Sequence, residues 1–142
     1  MKKILSIIMT LIISVTTVLS VFAETKVSVI FEGEPMTFDV EPFIEGDRTL
    51  VPMRAIFEAA GAAISWDGET QTVIATYSVN DETKFMVLQI GNENAFAGDE
   101  TIALDVPAKI VNDRTFVPLR FVMETLGREV TWDPNTYTVD IK

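Results

Sequence analysis

A chain of 142 residues has room for one domain or two very small ones. Its 21 acidic residues against 11 basic ones, a formal net charge of −10, exclude nucleic-acid binding, because phosphate recognition draws on clustered Lys and Arg and a field of this sign repels polyanions and anionic membrane surfaces. The chain has neither His nor Cys, which excludes disulfide staples and leaves no imidazole or thiolate for a tight transition-metal site.

The N-terminal stretch "MKKILSIIMTLIISVTTVLSVFA" places Lys2 and Lys3 ahead of an apolar run that closes on Val21-Phe22-Ala23, whose Val21-x-Ala23 pattern is of the kind signal peptidase accepts. A signal peptide over residues 1–23 is expected, cut after Ala23. The alternative is an uncleaved anchor, since Ile4 to Phe22 approaches the roughly 20 residues that span a bilayer. Cleavage leaves 142 − 23 = 119 residues and a charge of 9 − 21 = −12, with no membrane attachment in the mature chain. That length can bury something over about 60% of its unfolded surface without staples.

The rest of the chain, 24–142, is expected to form one α+β domain of two pseudo-repeats, about 24–79 and 84–142. "RTLVPMRAIFEAAGAAISWD" begins at Arg48 and "RTFVPLRFVMETLGREVTWD" begins sixty-six positions later at Arg114. In chain order, "KVSVIFEGEPMTFDV" reads as a hairpin around Glu32-Gly33-Glu34. Met53, Ile56, Phe57 and Ala60 then follow the i, i+3, i+4, i+7 spacing of one helical stripe, with Pro52 at the first helical position and Gly61 just past the end. Ala62, Ile64 and Trp66 alternate with Ala63 and Ser65 as in a half-buried strand, and Asp67-Gly68-Glu69-Thr70 turns the chain into "QTVIATY". "SVNDETK", Ser78 to Lys84, reads as a short polar loop, and "FMVLQIG", Phe85 to Gly91, as an apolar bridge between the units.

The second copy repeats the plan. "NAFAGDETIALDV" is the hairpin around Gly98-Asp99, and the copies align at a constant offset from Asp39 and Asp105 onward, with one extra residue needed in the second copy upstream of Pro35. Leu119, Val122, Met123 and Leu126 draw the second stripe between Pro118 and Gly127; Val130 and Trp132 alternate with Glu129 and Thr131; Asp133-Pro134-Asn135-Thr136 turns into "YTVDI". Each unit is expected to be β-β-α-β-β. Helices this short are marginal in water, so the two units must share one core in which antiparallel sheet curls around the short helices.

Four residues stand out as candidates for binding. Arg54 and Arg120, each with Glu58 or Glu124 four positions on, form either an anion-binding pair or, as the favoured reading, an intrahelical pair or a bridge to a neighbouring strand. Trp66 and Trp132 are either sugar platforms or, on the parity they share with Ile64 and Val130, core. Arg48 and Arg114 are expected to clip Asp67 and Asp133. Glu32, Glu34, Asp99 and Glu100 sit in hairpin turns, a poor setting for the desolvated acid that glycoside hydrolysis needs. No EF-hand run, nucleophile elbow, phosphate loop or zinc spacing is written in the sequence. Catalytic residues, metal ligands and cofactors are therefore not expected.

"GDRTLVPMRAIFEAAGAAISWDGETQTV" and "NDRTFVPLRFVMETLGREVTWDPNTYTV", with the lead-in "LDVPAKIV", resemble the stalk domain family named after the N-terminal domain of copper amine oxidases. The resemblance implies antiparallel sheet curled around helix, a non-catalytic role, and secretion or surface display in Gram-positive bacteria, where such domains accompany cell-wall hydrolases or other modules. It does not carry copper or a tyrosine-derived cofactor with it, because Tyr77 and Tyr137 sit in "ATYSV" and "NTYTV", unlike the cofactor-forming motif. The expected function is a secreted or cell-surface interaction module whose partner is a cell-wall polymer or another surface protein. The alternatives are a cell-wall carbohydrate-binding module, which needs exposed tryptophans, and a hydrolase working through loop carboxylates, which needs a pocket.

Overall fold

The computed structural model describes residues 26–142; the signal-peptide expectation falls outside the described residues. In chain order, β1 (Ser28–Phe31), β2 (Glu34–Pro35), β3 (Phe43–Glu45) and β4 (Arg48–Pro52) precede α1 (Met53–Ala59), then β5 (Ala63–Asp67) and β6 (Thr72–Val79). The strand β7 (Glu82–Gln89) leads to β8 (Asn94–Ala97), β9 (Glu100–Ala103), β10 (Lys109–Val111) and β11 (Arg114–Pro118), followed by α2 (Leu119–Thr125), β12 (Val130–Asp133) and β13 (Thr138–Ile141). The architecture is α+β, mostly antiparallel sheet with two short helices.

Three sheets form, ordered β12-β13-β1-β2, β10-β11-β4-β3 and β5-β6-β7-β8-β9. Among the described strands the pairing is antiparallel except at one place. β1 runs parallel to β13, with Val29 opposite Val139 and Phe31 opposite Ile141, so the start and end of the described chain share a sheet. The "RTxVP" motif is itself a strand in both copies, and β4 and β11 pair with each other, Val51 opposite Val117. Each helix is thus preceded by four strands instead of two. The missed hairpins, β3–β4 and β10–β11, turn at Gly46-Asp47 and Asn112-Asp113, all four residues at positive φ. Turns with φ > 0 at both central residues match strand twist, which is why a two-residue connection suffices there.

The polar stretch Ser78–Lys84 is also mostly strand. β6 and β7 pair along eight residues each, joined only by Asn80-Asp81 at φ 50 and 62, so the bridge "FMVLQIG" becomes the central strand of the five-stranded sheet. Nor is an extra residue needed upstream of Pro35. Ile30 pairs with Pro35 as Phe96 pairs with Thr101, the same register sixty-six positions apart.

Both helices bury the expected stripe: Met53, Ile56 and Phe57 on α1, and Leu119, Val122 and Met123 on α2. α1 packs on β4, β5 and β11, and α2 on β4, β11 and β12, so each helix touches both motif strands. Burying such apolar side chains is worth roughly 1.5–3 kcal/mol each, enough to hold helices that propensity alone would not. Pro52 and Pro118 stand one position earlier than expected, as the last strand residue and N-cap, both buried. A second small cluster of Leu50, Val106 and Phe116 is closed by Phe43, whose ring lies 4.9 Å from that of Phe116.

The helix ends are set by glycine. Gly61 and Gly127 adopt φ +75 and +83, and the amides of Ala62 and Arg128 donate to the carbonyls of Phe57 and Met123 at 3.0 and 2.9 Å, while those of Gly61 and Gly127 donate to Glu58 and Glu124. This satisfies carbonyls the helix would otherwise leave bare. A Cβ at either glycine meets nothing within 4 Å, so the cost of substitution is backbone strain alone. Gly61→Val and Gly127→Val should each lower stability by about 1 kcal/mol or more, read as a shift in the urea midpoint. Unchanged midpoints in both would refute this account of the helix ends.

Candidate functional site

A groove of about 1190 Å³ runs beside α2. Its lining includes Arg120, Phe121 and Glu124 of α2, Trp132 and Tyr137, and Pro42, Phe43 and the Arg48–Asp105 pair. The helix supplies Arg120 and Glu124 because i and i+4 share a face, and the buried stripe fixes which face points outward. Arg120 Nη1 donates to Glu124 Oε1 at 3.1 Å and also to the Val130 carbonyl at 3.0 Å, which ties the helix to β12. Arg54 contacts Glu58 only at 3.9 Å, and both side chains are exposed. Of the four candidates, Arg120 and Trp132 lie in this groove, whereas Arg54 and Trp66 do not.

The charges around the groove are largely paired. Arg48 Nε donates to Asp105 Oδ2 at 2.8 Å, Lys26 Nζ lies 3.3 Å from Glu41, and Arg120 has Glu124. The expected clips from Arg48 and Arg114 to Asp67 and Asp133 do not form. Arg48 instead crosses to Asp105 in the second copy, and Arg114 donates back through Nε to Asp39 Oδ2 in the first, also at 2.8 Å. The motif aspartates are occupied locally: Asp67 Oδ1 accepts the amide of Glu69 at 3.0 Å, and Asp133 Oδ1 that of Asn135 at 2.9 Å. A carboxylate held by its own turn is a poor target for a distant guanidinium. These bonds set the electrostatics. The Glu69 and Thr70 amides hold the Asp67 carboxyl below its usual range, and the hydrogen bond from Arg114 does the same for Asp39. Both shifts keep the acid ionised, the opposite of what a general acid requires. The hairpin acids are exposed, and Glu32 is ion-paired with Arg128.

The tryptophans differ, against the expectation that both are core. Both face inward: Trp66 pairs across to buried Val73 and Trp132 to buried Val139. Trp132 is half-buried, packed on the main core, with Tyr137 edge-on at 5.6 Å, while Trp66 is 40% exposed. The position equivalent to Tyr137 is Gln71, also at positive φ, so the first copy lacks the ring that covers the indole in the second. Parity gave the face correctly; cover at a sheet edge depends on a residue five positions further on. Phe121 and Tyr137 were missed as lining residues. Comparison of the copies carries the signal, since Ala55 and Gln71 stand in their places.

With Trp132 replaced by Phe, the remaining Trp66 emission should be red-shifted and readily quenched by acrylamide. With Trp66 replaced by Phe, the remaining Trp132 emission should be bluer and less quenched, and Trp132→Ala should cost about 2–3 kcal/mol against about 1 kcal/mol for Trp66→Ala. Equal quenching would contradict the different cover assigned to the two rings.

A family model described as the copper amine oxidase N-terminal domain matches residues 30–141. A curated protein of Brevibacillus choshinensis named "Protease inhibitor" is 30% identical over 98 residues, which is 68% of this chain and 29% of that protein. The chain therefore spans under a third of that relative's length. With its two sheet-forming motif copies and a match over nearly the whole described region, the chain belongs to the copper amine oxidase N-terminal domain family, a non-catalytic part of those enzymes.

Proposed function

We propose that the protein is a secreted or cell-surface interaction module that docks an extended partner along the groove beside α2, with the two motif copies serving as pseudo-repeats of one scaffold. The observation that carries this reading is the combination in one groove of four aromatic rings, Phe43, Phe121, Trp132 and Tyr137, with guanidinium and ammonium groups that already have carboxylate partners. Internally paired charges contribute little to stability at a surface. They do let a neutral partner enter without leaving a charge uncompensated, while the rings supply contact area at low entropic cost. A cell-wall polymer or an uncharged stretch of another surface protein fits this chemistry.

The carbohydrate-binding reading has its own support in the exposure of Trp66, which leaves an indole open to stack on a sugar. Trp66 lies outside the groove, so the two readings separate by mutation. The relative named as a protease inhibitor brings a third arm, because the matched region of that protein is a minor part of it.

The test is cosedimentation of the purified protein with isolated wall polysaccharide and with intact walls, after its N-terminus has been sequenced from culture medium. Phe121→Ala and Tyr137→Ser should weaken retention roughly tenfold or more, the loss of one or two aromatic contacts. Retention that survives both changes but is lost with Trp66→Ala supports the sugar platform instead. Inhibition of a secreted protease by the wild-type protein and not by the groove variants would identify the partner as a protease. A product that still carries Met1 and fractionates with membrane would overturn the secreted form.

A further inference from the structure

Strands β5 and β12 occupy equivalent places in the two copies, each at the open edge of its sheet. Their registers coincide: Ile64 lies opposite Ala75 and Trp66 opposite Val73, as Val130 lies opposite Ile141 and Trp132 opposite Val139. The amides of Glu129 and Lys142 donate to each other's carbonyls at 3.1 and 3.0 Å, so these two residues form a doubly bonded pair. Bonding alternates along an antiparallel pair, which directs the amides and carbonyls of Val130 and Trp132 away from β13. The matching register directs those of Ile64 and Trp66 away from β6.

The two edges are finished differently. In the second copy Arg120 Nη1 caps the outward carbonyl of Val130 at 3.0 Å, Glu124 holds that guanidinium at 3.1 Å, and Tyr137 stands edge-on to Trp132. In the first copy no backbone group among the described residues bonds to the outward side of Ile64 and Trp66. Arg54, the equivalent of Arg120, reaches only Glu58, at 3.9 Å, and stays in solvent. Gln71 stands in place of Tyr137, and Trp66 is exposed. An unpaired edge is a template for another strand unless something blunts it, and here the device that closes β12 is missing from β5.

We infer that the β5 edge takes up an extended segment of another protein, which joins the five-stranded sheet as a further strand and lays its inward side chains against Trp66. Backbone chemistry selects the occupant. Ile64 and Trp66 present two amides and two carbonyls along one edge, in pairs about 6.8 Å apart. An extended polypeptide offers the complementary groups at that spacing, whereas a polysaccharide has no amide and carbonyl alternating along one edge with that period. Side chains of the segment that fall beside Ile64 and Trp66 are apolar, and those beside Ala63 and Ser65 are small or polar. The net charge of −10 favours a segment carrying Lys or Arg and disfavours a second copy of this chain. Trp66 lies outside the groove beside α2, so the inference stands apart from the partner proposed there.

The probe is a short synthetic peptide that alternates valine with threonine between terminal lysines. It is titrated into the purified protein and followed by amide chemical shifts and, in a Trp132→Phe background, by Trp66 emission. Shifts should centre on Ile64 and Trp66, with a dissociation constant on the order of 100 μM, as suits a few backbone hydrogen bonds and one indole contact. Residues opposite Ile64 and Trp66 turn their amides toward β5 and their side chains to the inner face. N-methylation of the valine amides should therefore abolish binding, and N-methylation of the threonine amides should preserve it. Ile64→Pro removes an outward amide without touching the ladder to β6, and Gln71→Tyr supplies the missing ring at a position that already shares the positive φ of Tyr137. Each should weaken binding roughly fivefold or more with far-UV circular dichroism unchanged, while Phe121→Ala leaves it alone. No binding at about 2 mM peptide overturns the inference, as does equal affinity of the two N-methylated peptides. Wall polysaccharide that shifts Trp66 equally in wild type and Ile64→Pro overturns it too and assigns the indole to a sugar. So does a dimer in sedimentation velocity that Ile64→Pro dissociates, because a second copy then closes the edge.

Discussion

The antiparallel contact between β4 and β11 is the constraint on which the rest of the structure depends. Val51 and Val117 face each other across it, both fully buried, and each motif strand runs directly into a helix whose stripe packs on both strands. Neither copy supplies a partner for its own motif strand on that side. A single strand-helix unit would expose its apolar stripe and a row of unpaired amides, a costly arrangement in water. The same exchange recurs at the sheets, where β1 of the first copy extends the β12–β13 hairpin of the second, and β8–β9 of the second extends the sheet begun by β5 and β6.

The ion pairs follow the same logic. Arg48 reaches Asp105 and Arg114 reaches Asp39 with matched geometry, each joining a motif strand of one copy to the lead-in of the other; Lys109 with Glu45 at 2.6 Å and Arg128 with Glu32 also cross. All are exposed enough that their net contribution to stability is small. Their consequence is register, because a one-residue slip of β4 against β11 would separate both reciprocal pairs and put Val51 and Val117 on opposite faces of the sheet. The proposed function occupies what the scaffold leaves free. The second copy carries Phe121, Trp132 and Tyr137 beside a groove, and the first carries an uncovered Trp66.

Much of this was legible in the sequence. The helix stripes, the two terminating glycines and the Trp-Asp turns announce themselves because each depends on local periodicity or on a local φ preference. What escaped depends on distant partners. The "RTxVP" segments show no strand signal of their own, since their strand character comes from pairing with each other sixty-six positions apart. Ser78–Lys84 read as a loop because its polar residues sit on a hairpin whose length is set by the neighbouring strands. The motif suggests Asp67 and Asp133 of the same copies as partners for Arg48 and Arg114, yet Asp67 is already engaged by its own turn. The candidate site was half legible: Arg120 and Trp132 stand out by repetition, while Phe121 and Tyr137 stand out only by departing from it.

If the copies are halves of one scaffold, they cannot unfold separately. The two tryptophans make this measurable, one in each copy. In a Trp66→Phe background the Trp132 emission reports the second copy, and in a Trp132→Phe background Trp66 reports the first, while far-UV circular dichroism reports both. Urea unfolding followed by both signals should give coincident transitions within each variant, with a single m-value suited to the whole domain. A fluorescence transition that clearly precedes or follows the circular dichroism transition in either variant would show that one copy folds without the other, and would contradict the account.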